Sequence, residues 1–182
     1  NLGCYGDGGA FFTDDDELAD IINSIRLHGK GIQKYENVRI GVNSRMDTIQ
    51  AAILIEKLKI FEGELESRRA IAKRYSDALD EVCLTPCLSP GVKSSWAQYT
   101  ILVSDRDKVQ EVLKLEGIPS VIYYPVPLHR QKAYKNDDYI EDNFKVTNKM
   151  VDEVISLPMH SELEENQIDY ISGSIKSFFK NK

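Results

Sequence analysis

The fold of this chain is decided by one stretch, Gly41-Val-Asn-Ser-Arg-Met-Asp-Thr-Ile-Gln-Ala-Ala52, which joins a long loop to a long helical pattern. The segment from Ser44 to Asp47 predicts a helix start, and a helix N-terminus is favourable for phosphate or carboxylate. Asn43 can donate a hydrogen bond to such an anion, and Arg45 can clamp it with two parallel bonds. From the spacing alone, a helix cap beside a solvated arginine is the stronger interpretation, with an anion site as the alternative.

The residues before this stretch predict a strand, a helix and a loop. The segment Ala10 to Thr13 is apolar enough for a short strand, and Thr13 to Glu17 places a capping residue and several acids at a helix start. We expect this helix to end at 26–29, where a cation is followed closely by a glycine. Residues 30–42 carry no periodicity and predict a long loop, which in a compact domain is often functional or mobile.

The glycine-rich segment Gly6-Asp7-Gly8-Gly9 offers bare backbone N–H groups that could cradle a phosphate. In the common nucleotide-binding loops, however, the glycines follow a strand and precede a helix. Here the glycines precede the predicted strand, so a tight turn is the better interpretation of these residues taken alone.

After the quoted stretch, the helical pattern runs to about Glu81, and Gly63 predicts a bend or a join between two helices. We place a domain boundary at that glycine. Beyond it, apolar runs separated by prolines and glycines predict an α+β unit. Its predicted elements are strands at 98–103 and 120–124 and helices at 105–116, 144–155 and 162–179.

Composition narrows the classes of function. The chain has 182 residues, of which 42% are hydrophobic and 29% charged, with a net charge of −6. This acidic balance argues against nonspecific binding to nucleic acid, although a few local cations suffice for a small anionic ligand. No apolar run approaches the roughly 20 residues of a membrane span. Three cysteines without zinc-site spacing predict reduced thiols in a cytoplasmic protein, and no metal site.

The string Tyr123-Tyr-Pro-Val-Pro-Leu-His129 ends the second predicted strand with two phenols and an imidazole. Strand ends that open into loops often carry binding groups, and the prolines make this backbone rigid enough to position them. Tyrosines packed at a sheet edge beside a surface histidine explain the same string about equally well. His28 and His160 are more typical of helix-end or surface histidines than of catalytic ones.

Five stretches, in this order, resemble the C-terminal half of one enzyme family. They are Asn1-Leu-Gly-Cys-Tyr-Gly-Asp-Gly-Gly-Ala10, Leu27-His-Gly29, the quoted run from Gly41 to Ala52, Tyr124-Pro-Val-Pro-Leu-His129 and Ser156-Leu-Pro-Met-His160. The family is DegT/DnrJ/EryC1/StrS, the sugar aminotransferases that depend on pyridoxal 5'-phosphate (PLP). The resemblance covers essentially the whole chain, and its most specific parts are the quoted run and the Tyr-Pro-x-Pro-Leu-His string.

The resemblance implies an α/β fold, the PLP-dependent transferase fold type I of aspartate aminotransferase. Residues 1–62 would finish the large PLP-binding domain and start the linking helix, and residues 63–182 would form the small C-terminal α+β domain. It also implies transfer of an amino group from an amino acid, with glutamate expected, to a nucleotide-linked keto sugar. The phrase Gly-Cys-Tyr-Gly-Asp-Gly-Gly-Ala suggests the subgroup that aminates UDP-3-keto-N-acetyl-hexuronic acids for O-antigen, lipopolysaccharide and related polysaccharides.

The resemblance also implies roles for individual residues. The family lysine that holds PLP as a Schiff base would directly precede Asn1, which leaves no catalytic residue within this chain. Asn43 matches the asparagine that reaches the PLP phosphate of the other subunit, so a homodimer with active sites shared across its interface is expected. Substrate-binding roles fall on His28, Arg45, Tyr123, Tyr124 and His129. Close relatives often carry histidine at the position of Tyr123, which leaves the exact sugar open.

Two alternatives on the same scaffold stay open. A PLP-dependent sugar dehydratase typically has histidine in place of the Schiff-base lysine, at a position that the chain does not include. A non-catalytic regulatory relative would use the scaffold without PLP.

Overall fold

The computed structural model describes residues 1–134 and 141–180 of the chain. The chain divides into two compact units, which we call the first unit (Asn1–Glu62) and the second unit (from Gly63 onward). The division falls at the glycine that the sequence marks as a boundary. The assignment of these units to a large and a small domain stays a prediction.

The first unit contains one complete helix, α1, which spans Asp16–Arg26 as the acidic start signal predicts. The Asp15 carboxylate accepts a hydrogen bond from the Leu18 amide at 3.0 Å and thereby caps the helix. The strand predicted at 10–13 is wrong, because none of the described residues forms a strand with this segment, and Phe12 is 88% exposed. An apolar run needs a hydrogen-bonded neighbour to become a strand.

Helix α2 spans Thr48–Leu79 without a break, so a join between two helices at Gly63 is wrong, and a bend there stays a prediction. A glycine inside a helix costs only about 1 kcal/mol relative to alanine, which the good helix formers around it offset. Because the helix begins at Thr48, Asn43 and Arg45 lie on the segment that leads into it and outside its first turn.

The second unit is built on a two-stranded antiparallel sheet. Strand β1 (Tyr99–Leu102) lies where the sequence predicts a strand, and strand β2 (Val154–Leu157) pairs with it along its whole length. The hydroxyl groups of Thr100 and Ser156 meet across the pair at 2.8 Å, although these residues are 56 positions apart in the chain.

The helix predicted at 144–155 ends earlier than expected. Helix α4 spans Lys145–Glu153, and the two β-branched residues that follow it, Val154 and Ile155, belong to β2. Branching at Cβ favours a pleated strand over a helix, and here a partner strand is available to accept the pairing.

The strand predicted at 120–124 is also wrong. The segment makes a single β-bridge, between Val121 and Ser156. Pro119 and Pro125 flank it and supply no N–H group, which limits further pairing.

Helices α3 (Arg106–Leu115) and α5 (Glu165–Lys180) follow the predicted periodicity and pack against each other. Between the Tyr-Pro-Val-Pro segment and α4, the described residues form three short 3-10 turns. They span Leu128–Arg130, Lys132–Tyr134 and Glu141–Phe144.

The buried hydrophobic residues of the described chain all lie in the second unit. At the centre of this core, Tyr75 of α2 stacks on Tyr99 of β1 with ring centroids 5.0 Å apart. Around them lie Ile71, Ala72, Leu79, Ile101, Val103, Val109, Leu113, Ile118, Ile155, Leu157, Ile168, Ile171 and Ile175. The first unit therefore keeps its apolar side chains at or near the surface of the described chain.

Helix α3 offers a matched test of this core, because Leu113 is fully buried and Leu115, two residues later, is 81% exposed. We expect Leu113→Ala to lower the free energy of unfolding by about 2–5 kcal/mol, since it removes apolar contacts and leaves a cavity. Leu115→Ala should change it by less than about 0.5 kcal/mol. Urea unfolding of the complete protein, followed by circular dichroism, measures both values, and equal losses would contradict this assignment of the core.

Candidate active site

The position of Asn43 is set by backbone hydrogen bonds to the end of α1. Leu27 and Asn43 form an antiparallel β-bridge. The Val42 amide donates to the Ile25 carbonyl at 2.8 Å, and the Ser44 amide donates to the Arg26 carbonyl at 2.9 Å. The segment that leads into α2 is thereby held along the last turn of α1.

Two glycines make this close approach possible. Gly29 has φ +73°, and a Cβ atom on it would lie 1.8 Å from the Arg39 carbonyl oxygen. A Cβ atom on Gly41 would lie 2.1 Å from the backbone nitrogen of Gly29. Only glycine fits at either position without moving the backbone, so these two residues account for the Leu-His-Gly and Gly-Val-Asn parts of the sequence pattern.

The first unit contains a cavity of about 1110 Å³, which we call the polar cavity. Asn43, Ser44 and Arg45 line it together with Asn23 and Arg26 of α1, and the Arg26 Nε donates to Asn23 Oδ1 at 3.0 Å. Two guanidinium groups, two amides and a hydroxyl form a donor set that suits a phosphate, and this set fits the phosphate of PLP. Two carboxylates, Asp7 and Asp14, also line the cavity.

Two of the predicted site residues, Asn43 and Arg45, thus lie in the polar cavity. His28 does not line it, and its side chain is exposed at the end of α1. Arg26 and Asn23 also line the cavity and are not among the residues predicted from the sequence. Arg26 directly precedes the Leu27-His-Gly29 motif, but only the bridge between Leu27 and Asn43 shows that it shares a cavity with Arg45.

The second unit contains a cavity of about 880 Å³, which we call the aromatic cavity. It brings together three predicted residues, Tyr123, Tyr124 and His129, and the two tyrosine rings meet edge to face with centroids 5.5 Å apart. The remaining lining is mostly apolar and consists of Pro125, Val126, Pro127, Leu128, Gln131, Tyr134, Phe144, Thr147, Met150, Val151 and Val154.

The imidazole of His129 is enclosed on several sides. Its side chain is 6% exposed, and its ring stacks on Phe144 with centroids 4.1 Å apart. Its Nε2 atom lies 3.2 Å from Glu141 Oε2, an ion-pair approach that falls short of an aligned hydrogen bond. The hydrogen bond from the neighbouring Arg130 lowers the pKa of Glu141, and the charges of Arg130 and His129 lower it further.

The part of the chain that the structure describes meets the requirements of neither a metal site nor a membrane-spanning helix. Residues 1–134 and 141–180 contain no cluster of three or more histidine, cysteine, aspartate or glutamate side chains that could hold a metal ion. No helix within the same ranges has the length and apolarity needed to cross a membrane.

Comparison with known proteins identifies relatives along nearly the whole chain. Residues 1–176 match the family model described as the DegT/DnrJ/EryC1/StrS aminotransferase family. The chain is 43% identical to a UDP-2-acetamido-2-deoxy-3-oxo-D-glucuronate aminotransferase from Pseudomonas aeruginosa, over 96% of the chain and 48% of that protein. It is 40% identical to a pleiotropic regulatory protein from Geobacillus stearothermophilus, over 100% of the chain and 50% of that protein.

Solved structures give the same result and confirm the predicted fold class. A DegT/DnrJ/EryC1/StrS aminotransferase from Brucella abortus matches with TM-score 0.93 and 52% identity, over 97% of this chain and 48% of that one. NtdA from Bacillus subtilis, solved with bound cofactor PMP, matches with TM-score 0.81 and 26% identity, over 92% of this chain and 41% of that one. The chain spans about half the length of the curated relatives it matches.

The glycine contacts that place Asn43 can be tested with a matched pair of alanine substitutions. Gly29→Ala should force the 27–43 segment to shift, because the new Cβ meets the Arg39 carbonyl and a positive φ costs about 1–2 kcal/mol for alanine. Gly63→Ala, inside α2 with nothing within 4 Å of the new Cβ, should be neutral or stabilising. Hydrogen exchange of the complete protein should show faster exchange at the Val42 amide only in the first variant. Unchanged protection of the Val42 amide in Gly29→Ala would contradict the close approach of the two backbone segments.

Proposed function

The chain belongs to the DegT/DnrJ/EryC1/StrS aminotransferase family, and we propose that it serves the PLP-dependent transfer of an amino group from an amino acid to a nucleotide-linked keto sugar. Glutamate is the proposed donor. A UDP-3-keto-N-acetyl-hexuronic acid is the proposed acceptor, in the biosynthesis of a surface polysaccharide. The observation that carries the proposal is the 43% identity, over 96% of the chain, to an aminotransferase named for such a substrate.

The polar cavity is the proposed contribution of this chain to holding the cofactor. When bound, PLP supplies an electron sink that makes the carbon next to the amino nitrogen acidic. The Asn43 amide would donate a hydrogen bond to its phosphate, and the Arg26 and Arg45 guanidinium groups would balance the negative charge of the ligands around it. The proposed cofactor contact of Asn43 is to the site of a second subunit, which makes the protein a homodimer with shared active sites.

The substrate roles divide according to the chemistry of the two cavities. Arg45 is the proposed partner for the diphosphate of the nucleotide sugar, since its guanidinium can bind two oxygens at once. Tyr123, Tyr124 and His129 are proposed to hold the sugar against a mostly apolar wall, which excludes water from that side. Because the chain has a net charge of −6, a local cation such as Arg45 is what allows an anionic substrate to approach.

The proposed location is the cytoplasm. The three cysteines, Cys4, Cys83 and Cys87, are free thiols, as the sequence predicts. Free thiols are usual in a reducing compartment.

The direct test is a transamination assay run from the stable product. The complete protein would be incubated with PLP, 2-oxoglutarate and UDP-2-acetamido-3-amino-2,3-dideoxyglucuronic acid, and glutamate would be quantified. We expect glutamate to form together with the 3-keto sugar nucleotide. Loss of a sugar hydroxyl without glutamate formation would instead identify a dehydratase. Absence of both turnover and PLP absorbance in the protein separated from free PLP would support the regulatory alternative.

The cofactor role of Asn43 has its own test. Asn43→Ala should weaken PLP binding by about 1.5–3 kcal/mol, because a hydrogen bond to a charged group is lost. Asn166→Ala, which removes an exposed amide in α5, is the control and should leave PLP affinity unchanged. Titration of the cofactor-free complete protein with PLP, followed by fluorescence, measures both affinities. Equal affinities in the two variants would count against the cross-subunit contact.

A further inference from the structure

We propose that Glu141 is a positioning residue that keeps a proton on Nε2 of His129, so that Nδ1 is left as a hydrogen-bond acceptor for the sugar. The inference rests on the proposed function, because it names how the same substrate is held in the aromatic cavity. It also chooses between two parts of that substrate, since an acceptor nitrogen pairs with a hydroxyl or amide N–H and does not pair with a phosphate oxygen.

The surroundings of His129 fix the orientation of its imidazole ring. His129 lies in the 3-10 turn that follows two prolines, and its side chain is 6% exposed. Phe144 covers one face of the ring at 4.1 Å with an interplanar angle of 11°. With one face covered and little exposed surface, the imidazole keeps the edge that bears Nε2 directed at Glu141.

The group that faces the Nε2 edge of the ring is the carboxylate of Glu141. Glu141 Oε2 lies 3.2 Å from His129 Nε2, and Nε2 is buried with no aligned hydrogen bond to any other described group. A carboxylate has no proton to donate when ionised and therefore favours a proton on the nitrogen that faces it. In the neutral imidazole, a proton on Nε2 makes Nδ1 an acceptor.

Glu141 is itself held in place and kept ionised by its neighbours. The Arg130 guanidinium donates to Glu141 Oε1, and Asn148 Nδ2 lies 3.3 Å from the same oxygen. These two contacts occupy Oε1 and leave Oε2 to face His129. The pKa of Glu141 is lowered chiefly by its hydrogen bond with Arg130, so the carboxylate is charged at neutral pH.

The chemistry of the cavity agrees with a sugar as the ligand at this point. Besides His129, the polar atoms of the lining belong chiefly to tyrosine hydroxyls, Gln131 and Thr147, and no lysine or arginine lines the described cavity. A diphosphate would find no permanent cation on this wall. A sugar ring could place its apolar face on the aromatic residues and a hydroxyl on Nδ1.

The ring proton can be measured without any ligand. Nitrogen NMR of the complete protein labelled with [¹⁵N]histidine, with His129 assigned through the His129→Gln variant, reports which ring nitrogen carries the proton. We expect the Nε2–H form in the parent protein and in Glu153→Gln, a control that alters a carboxylate of α4 whose ion-pair partner is Lys149. In Glu141→Gln the ring should lose this single form. The inference is overturned if the parent carries the proton on Nδ1, or if Glu141→Gln leaves the spectrum unchanged.

A binding experiment tests the choice of sugar over diphosphate. Titration calorimetry would compare UDP with UDP-2-acetamido-3-amino-2,3-dideoxyglucuronic acid. We expect Glu141→Gln to weaken binding of the amino sugar nucleotide roughly tenfold and to leave UDP binding unchanged. The same substitution should have no further effect in a His129→Gln background, because Glu141 acts through His129. Equal losses for UDP and for the sugar nucleotide would overturn the assignment of His129 to the sugar.

These measurements separate the inference from the function on which it rests. A parent protein that binds neither nucleotide contradicts the proposed function, while the NMR result still decides the role of Glu141. A parent protein that is active and unaffected by Glu141→Gln contradicts the inference and leaves the function standing. Glu141→Asp, which keeps the carboxylate, should restore the Nε2–H form at least in part.

Discussion

The second unit depends on the contact between Tyr75 and Tyr99, which seats the end of α2 on the sheet. The two rings stack at 5.0 Å, and both hydroxyls are satisfied: Tyr75 donates to the Pro158 carbonyl at 3.1 Å, and Tyr99 lies 2.7 Å from the Ser76 hydroxyl. Burial raises the pKa of Tyr99 to about 12, and it raises the pKa of Tyr75 further. Both phenols therefore stay neutral at physiological pH, and neither places a charge inside the core.

The sheet that carries Tyr99 also contributes to the aromatic cavity. Tyr99 begins β1, and β1 pairs with β2, whose first residue, Val154, lines the cavity. Helix α4 runs directly into β2 and carries Met150 and Val151 into the same lining. One part of the lining therefore comes from α4 and the first residue of β2, and another part comes from the Tyr-Pro-Val-Pro segment.

The first unit is organised by a different constraint, the close approach of two backbone segments. Its described part has no buried hydrophobic residues. The position of Asn43 is therefore fixed by the close approach of Gly29 and Gly41 and by the backbone hydrogen bonds to the last turn of α1. Arg26 and Arg45 come together because one ends α1 and the other follows the residues that make these hydrogen bonds. The proposed anion site here depends on backbone geometry, whereas the proposed sugar-binding wall of the second unit depends on side-chain packing.

Local signals were enough to predict much of this architecture. The acids at 14–17, the glycine after Arg26 and the apolar periodicity of α3 and α5 each act within a few residues, and each prediction is confirmed. The errors occur where the outcome depends on a distant partner. The β2 strand needs β1, 56 positions away at the Thr100 and Ser156 pair. The apolar run at 10–13 has no strand beside it among the described residues, and the run at 120–124 keeps only the bridge between Val121 and Ser156. Periodicity in a single segment carries no information about such a partner.

The candidate site divides along the same line. Tyr123, Tyr124 and His129 lie in one cavity, as expected for neighbours on a rigid, proline-bearing segment, and their substrate roles stay a prediction. The sequence resemblance could not reveal Glu141, which is 12 positions from His129 and lies in the same 3-10 turn as Phe144, the residue that stacks on the imidazole.

A residue that acts through another has no motif of its own, because its sequence position is set by the path of the loop and its chemistry by the side chain it faces. In the proposal, the carboxylate that faces Nε2 makes Nδ1 of His129 an acceptor, and this selects the sugar over the diphosphate of the proposed substrate. Motifs in this chain thus predict candidate ligand-binding residues, while the side chains that contact those residues determine what kind of hydrogen bond they can make.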